Sequence, residues 1–157
     1  MPEIGKPAPD FRLQNQDGEW VKLSDYRGKK VVLFIFPKAN TAGCNAQACG
    51  FRDEFETISA QNAVILGLSA DMPVKLKAWK QSKNLPYDLL SDPDHKVLET
   101  WGAWRGSPLN LLSFLAIERS YWLIDENGIV TDGKAGISPN DSVRRALETL
   151  GVQTTAV

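Results

Sequence analysis

Residues 31–49 read VVLFIFPKANTAGCNAQAC, and the change of pattern inside them sets the architecture. The first six, Val31 to Phe36, are apolar without a break, as expected of a strand buried on both faces of a sheet. Pro37 ends that strand because it brings no N–H to a ladder. Lys38 to Gly43 form a short loop. From Cys44 the composition turns helical, with Ala48, Phe51, Phe55 and Ile58 at helical spacing through CNAQACGFRDEFETISAQ. The stretch is a buried strand, a tight loop and a helix start, with a cysteine at the junction.

The same alternation continues outward. Residues 63–69 (AVILGLS) are a second buried strand, and Pro73 suits the first turn of a helix carrying Val74, Leu76, Ala78 and Trp79. Residues 86–90 (PYDLL) read as short and extended, and Val97, Leu98 and Trp101 as another short helix. Towards the N-terminus, DFRLQN at 10–15 and WVKL at 20–23 alternate across a Gln16-Asp17-Gly18 turn, a hairpin pattern. Ser24 is placed to cap a short turn ending at Gly28. Towards the C-terminus, 119–124 (RSYWLI) and 129–135 (IVTDGKA) flank a turn at Asp125–Gly128. Ser138-Pro139 then opens a helix with Val143, Ala146, Leu147 and Leu150 on one face. Residues 102–118 are broken by Gly102, Gly106 and Pro108 yet include LNLLSFLAI, and read as a loop with a partly buried segment. Residues 151–157 read as a frayed tail. The pattern is an α/β sandwich in one domain spanning 1–157, without repeats or linkers.

Composition narrows the function. The chain has 157 residues, 43% of them hydrophobic and 24% charged, with a formal net charge of −1. No basic block stands out, so nucleic acid is not an expected partner. The opening MPEIGKPAPDFRLQNQDG lacks the basic and apolar segments of a signal peptide, and the apolar run at 31–37 is too short to span a bilayer. A soluble, intracellular chain away from membranes is expected. Two cysteines and one histidine are too few for a disulfide scaffold or a Cys/His zinc site. The cysteines are either inert core residues or redox groups.

Cys44 falls where a helix presents free N–H groups and the positive end of its dipole, both of which favour a thiolate. A free thiol near pKa 8.5 is only about 3% ionised at neutral pH, and Cys44 is expected to be held as the anion. Thr41 stands at the expected N-cap, where its hydroxyl can accept a backbone N–H or donate to a ligand. Gly43 lets the backbone approach closely, and Pro37 stiffens the exit from the strand. Taken singly, these three read more readily as an ordinary cap, loop residue and strand terminator; together they make a more specific pattern. Cys49 follows five residues later, ~7.5 Å along an ideal helix and ~140° around it. A disulfide needs 4.4–6.8 Å between Cα atoms. If the two sulfurs bond, the first turns must unwind; otherwise Cys49 is a small core residue. Arg119 opens a strand and, on sequence alone, reads equally as a surface residue. His95 reads more readily as a solvated surface residue, and Trp101 and Trp104 as core.

Pro37-Lys-Ala-Asn-Thr41-Ala-Gly-Cys44 matches the signature P-x-x-x-T-x-x-C and resembles the peroxiredoxins. The longer string FPKANTAGCNAQACGFRDEF is similar to the peroxiredoxin Q subfamily, also called bacterioferritin comigratory protein, which carries a second cysteine five residues on. The likeness extends over GKPAPDFRLQNQDGEWVKLSDYRGK, LLSDPDHKVLETWGAW and RSYWLIDENGIV. Ala42 stands where that family often has Pro, Phe36 where it often has Tyr, and 104–118 are the least family-like.

The resemblance implies a thioredoxin-like fold: a central mixed sheet flanked by helices, with an N-terminal hairpin. It implies a thiol peroxidase acting on hydrogen peroxide and organic hydroperoxides in antioxidant defence. Cys44 would be the peroxidatic cysteine and Cys49 the resolving one. Thr41, Gly43 and Arg119 would bind the peroxide, Arg119 beside the thiolate, and Pro37 would shape the pocket. The Cys44–Cys49 disulfide would be reduced by thioredoxin or another dithiol. No metal or other cofactor is implied. With both cysteines in one chain a monomer is expected, in the cytoplasm, or also the nucleus in a eukaryote. Two other classes compete. A thioredoxin-like disulfide exchanger usually uses Cys-x-x-Cys, against which the four intervening residues argue. A non-catalytic binding or chaperone module would hold both cysteines buried and inert. A copper carrier is weaker, because it would want a histidine near both cysteines.

Overall fold

A computed structural model describes residues 1–106 and 116–152. The apolar run after Lys29 becomes β3 (Lys30–Ile35), and the second run becomes β4 (Ala63–Ser69). They pair in parallel from Lys30↔Ala63 to Ile35↔Leu68. Parallel neighbours need a long crossover, here made by α1 (Ala42–Asp53) and α2 (Phe55–Ser59). A second crossover through α3 (Pro73–Lys83) sets β5 (Asp88–Ser91) parallel to β4 on its other side. The hairpin of β1 (Arg12–Asn15) and β2 (Trp20–Lys22) adds antiparallel to β5. After α4 (Lys96–Thr100), β6 (Ser120–Ile124) lies antiparallel to β3 and β7 (Val130–Ala135) to β6. The sheet order is β2-β1-β5-β4-β3-β6-β7. Helix α5 (Pro139–Thr149) follows, with Ser138 Oγ accepting the Asp141 N–H at 3.2 Å as its cap.

Alternation along β3 divides the core in two, because successive side chains point to opposite faces. Val32, Phe34 and Phe36 join Ala48, Phe51, Leu76, Trp79 and Leu147 on one side. Val31, Leu33 and Ile35 join Leu23, Leu98, Trp101 and Trp122 on the other. Full burial of each such side chain stabilises the fold by roughly 1.5–3 kcal/mol before entropy is charged against it. Trp101 is core, as expected. Trp104 is half-buried and stacks on His95 with centroids 3.8 Å apart, so His95 is partly covered rather than solvated.

Two local readings need correction. The helix starts at Ala42, as the expected N-cap at Thr41 requires, but the run expected through Ile58 divides at Glu54, whose N–H is shared between the Gly50 and Arg52 carbonyls. The break lets Phe55 and Ile58 turn onto the cluster that holds Ala63 and Ile65. Ser24 does not cap its turn. It lies inside a 3-10 turn, Leu23–Tyr26, where the Asp25 carboxylate accepts the Lys22 N–H and that of Asp10 accepts the Ser24 N–H; a carboxylate is the stronger acceptor. Of the stretch at 102–118, the flanks meet in a Trp104↔Ile117 bridge with Ala116 and Ile117 buried. Residues 107–115, and 153–157 of the expected tail, lie outside the described residues. Among the described residues no helix is long and apolar enough to cross a membrane.

Candidate active site

The strand register places the site. Ile35 pairs with Ser120, so the end of β3 lies beside the start of β6 and the residue before it, Arg119. Beyond β3 the chain runs through half-buried Pro37 into a loop that Asp71 holds in shape. One Asp71 carboxylate oxygen accepts the Ala39 N–H at 2.8 Å and the Ser69 hydroxyl at 2.9 Å, while its carbonyl accepts from Ser91 at 2.6 Å. Asn40 takes a left-handed conformation, φ 62°, which asparagine tolerates.

Thr41 is the N-cap of α1, with extended φ −98° and ψ 159°. Its carbonyl accepts the Asn45 N–H at 2.8 Å, which opens the helical ladder. Its hydroxyl does not cap the helix as expected. It donates instead to the Lys38 carbonyl at 2.8 Å. A hydroxyl has one hydrogen to give, so towards a ligand Thr41 offers lone pairs.

Cys44 sits in the first turn of α1, at the positive end of its dipole. Its side chain is wholly buried, at 0% exposure, in the cluster of Phe34, Phe36, Ala48 and Phe51. The surroundings are not apolar throughout. Both Nη1 and Nη2 of Arg119 lie 3.5 Å from Cys44 Sγ. A guanidinium keeps its charge, and away from water its pull on negative charge at the sulfur is stronger.

Arg119 is held in turn. Its Nη1 donates to Gln47 Oε1 at 2.8 Å, and the buried Gln47 donates through Nε2 to Ser142 Oγ at 3.1 Å. Ser142 passes its own hydrogen to the Pro139 carbonyl at 2.7 Å. The N-terminus of α5 thus fixes Gln47, Gln47 aims Arg119, and Arg119 meets the sulfur. Gly43 makes room for this: a Cβ there would lie 2.8 Å from Arg119 Nη2 and 3.6 Å from Pro139 Cγ. The close approach expected at Gly43 is to the guanidinium.

Cys49 is half-buried farther along α1, and both cysteines are free thiols. Five residues apart on one helix, they cannot bond while it is intact. Beside Cys49, the Tyr87 hydroxyl donates to the Ala48 carbonyl at 2.6 Å, and burial raises that phenol well above its usual pKa. A cavity of about 500 Å³ opens next to Thr41, lined also by Lys38, Lys75, Ala78 and Trp79. Another of about 390 Å³ is lined by Tyr26, Phe55, Pro86 and Tyr87 among others, and neither cavity is lined by Cys44 or Arg119. Among the described residues no three His, Cys, Asp or Glu side chains come together as a metal site.

Of the residues singled out in the sequence, Cys44, Gly43 and Arg119 meet, Pro37 and Thr41 frame the loop before them, and Cys49 stays apart on the same helix. Sequence reading missed Gln47, Ser142 and Asp71. Gln47 carried a usable sign: it interrupts the helical stripe of Cys44, Ala48 and Phe51, and a buried amide there must find partners.

The chain matches the model of the AhpC/TSA family over residues 4–132. It is 42% identical over 148 residues to Peroxiredoxin Bcp of Bacillus subtilis, covering 94% of each chain. To Peroxiredoxin Bcp of Escherichia coli it is 40% identical over 126 residues, 80% of this chain and 81% of the relative. The crystal structure of Peroxidoxin BcpB from Mycobacterium tuberculosis superposes with a TM-score of 0.89 at 30% identity, over 98% of this chain and 100% of that one. The mixed sheet with its flanking helices is the thioredoxin-like fold expected from the sequence.

Proposed function

As a member of the AhpC/TSA family, this chain belongs to the peroxiredoxins of the Bcp subfamily and is a thiol peroxidase; we propose that its reaction runs through Cys44 and Cys49 of one polypeptide. The observation that carries this reading is the pair of Arg119 N–H groups 3.5 Å from Cys44 Sγ. The Cys44 thiolate attacks one peroxide oxygen, the O–O bond breaks, and water or an alcohol leaves with a proton. Cys44 becomes a sulfenic acid. Arg119 stabilises the negative charge on sulfur and on the departing oxygen. Thr41 accepts the hydrogen of the bound peroxide, since its own hydrogen is committed to Lys38. Gly43 leaves space for the guanidinium, and Pro37 closes one side of the pocket.

Cys49 then condenses with the sulfenic acid to form a disulfide, after α1 has loosened between them. A thioredoxin-type dithiol restores both thiols by exchange. Hydrogen peroxide and organic hydroperoxides are both substrates, and the cavity beside Thr41 has space for an organic group. Because neither step draws on a second subunit, the protein works as a monomer, and we place it in the cytoplasm.

Peroxide consumption with a thioredoxin system tests this. Cys44→Ser should be inactive. Cys49→Ser should consume one equivalent and then stall. Turnover by Cys44→Ser at the wild-type rate would refute the assignment. Reduction of insulin without peroxide would instead favour a disulfide exchanger.

A further inference from the structure

The helix between the two cysteines is held from outside at three of its four residues. Trp79 Nε1 donates to Asn45 Oδ1 at 2.6 Å. Gln47 is tied to Ser142 and Arg119. The Tyr87 hydroxyl donates to the Ala48 carbonyl at 2.6 Å. Trp79 and Tyr87 are both buried and anchored by their rings, Trp79 against Phe36 at 4.9 Å and Tyr87 edge-on to Phe34 at 5.6 Å. Just beyond Cys49, Arg52 Nη1 donates to the Lys83 carbonyl at 2.8 Å. A first turn at a helix end ordinarily opens with little resistance. This one is stitched to α3 and to the chain before β5.

We propose that Trp79 and Tyr87 are positioning residues that keep residues 45–48 helical and so set how fast Cys49 captures the Cys44 sulfenic acid. The inference rests on the disulfide reading above. Capture forms an S–S bond and breaks the S–O bond of the sulfenic acid; the Cys49 proton leaves with that oxygen as water, and no further oxidant is needed. The competing event is attack of the sulfenic sulfur on a second peroxide. That breaks another O–O bond, releases water or an alcohol, and leaves a sulfinic acid that thiols do not reduce. Each stitch must break before Cys49 can reach Cys44, so each slows capture and lengthens the exposure of the sulfenic acid. Gln47 is not a clean probe, because it also aims Arg119.

Tyr87→Phe removes one stitch and keeps the ring. Asn45→Ala removes the other from the helix side. After rapid mixing with one equivalent of hydrogen peroxide, mass analysis of acid-quenched samples gives the rates of Cys44 oxidation and of disulfide formation. Both variants should oxidise at the wild-type rate and close the disulfide about fivefold faster, the worth of one net hydrogen bond. In excess peroxide they should accumulate less sulfinic acid by a similar factor. Tyr121→Phe, which loses a hydroxyl contact to Thr149 and none to α1, should close at the wild-type rate. Closure by Tyr87→Phe and Asn45→Ala at the wild-type rate would overturn the proposal. A fold lost in Tyr87→Phe leaves the decision to Asn45→Ala. A wild-type chain that never forms the disulfide overturns the reaction scheme and this inference together, whereas a normal disulfide with unchanged closure overturns this inference alone.

Discussion

Arg119 brings positive charge to Cys44, and its aim depends on neighbours that never touch the sulfur. Gln47→Leu removes the acceptor at 2.8 Å from Nη1 and leaves the Ser142 hydroxyl without its donor. We expect kcat/KM for hydrogen peroxide to fall about tenfold, the scale of one lost charge-assisted hydrogen bond. Gln47→Glu keeps an acceptor but sets a negative charge against the guanidinium and loses the donation to Ser142, so it should not restore the rate; stopped-flow oxidation checks both. Gly43→Ala puts a methyl 2.8 Å from Arg119 Nη2. It should displace the guanidinium and slow Cys44 oxidation while leaving the far-ultraviolet spectrum unchanged. Direct loss of the charge, Arg119→Met, should cost on the order of 10²–10³ in rate. The stretch from Pro37 to Cys44 was legible as a strand exit and helix start because its residues are consecutive and form together a pattern that none forms singly. Gln47 was not, because a glutamine is also an ordinary helix former and its partner Ser142 lies 95 positions away.

At the scale of elements, the segment joining β5 to α4 carries a pH dependence. Asp92 is fully buried, and one of its oxygens accepts the Leu98 N–H at 2.7 Å. Burial raises its carboxyl pKa to about 6, with Asp94 adding to the rise and the Leu98 hydrogen bond opposing it. An unfolded aspartate titrates near 3.9, so the folded chain holds this proton more tightly. The resulting stabilisation is complete below about pH 4 and is lost as pH rises through about 6. Asp94 acts in the opposite sense, its pKa lowered chiefly by the Lys96 backbone N–H. Asp92→Asn keeps an acceptor for Leu98 and has no charge to bury. Its Tm should therefore match the wild type near pH 4 and exceed it at pH 7.5; a difference independent of pH would contradict this. β3 and β4 were legible as apolar runs, the hairpins by the turns between their strands, and the last helix as a capped amphipathic pattern. The break at Glu54 was not, because no Gly or Pro marks it and packing of Phe55 and Ile58 decides it. The cap expected at Ser24 failed for a related reason, since the competing Asp10 carboxylate lies 14 residues away.

For the whole molecule, the α/β class followed from alternating strands and helices, but the strand order did not. β1 lies beside β5 and β6 beside β3, and no local pattern encodes such distant pairings. The resemblance to the peroxiredoxins supplied a mixed sheet with an N-terminal hairpin, without these neighbours, together with Arg119, whose approach to Cys44 spans 75 positions. Reaction within one chain carries a prediction about assembly. Light scattering should give the mass of one 17.4 kDa chain for both the reduced and the peroxide-treated protein; a dimer on oxidation would point to resolution between subunits. The central claim is that Cys44 takes the oxygen and Cys49 removes it. Peptide mass mapping after one equivalent of hydrogen peroxide tests this most directly. The wild type should lose two hydrogens as a Cys44–Cys49 disulfide, and Cys49→Ser should gain one oxygen on Cys44. Peroxide consumed with Cys44 still a free thiol in both proteins would contradict the account.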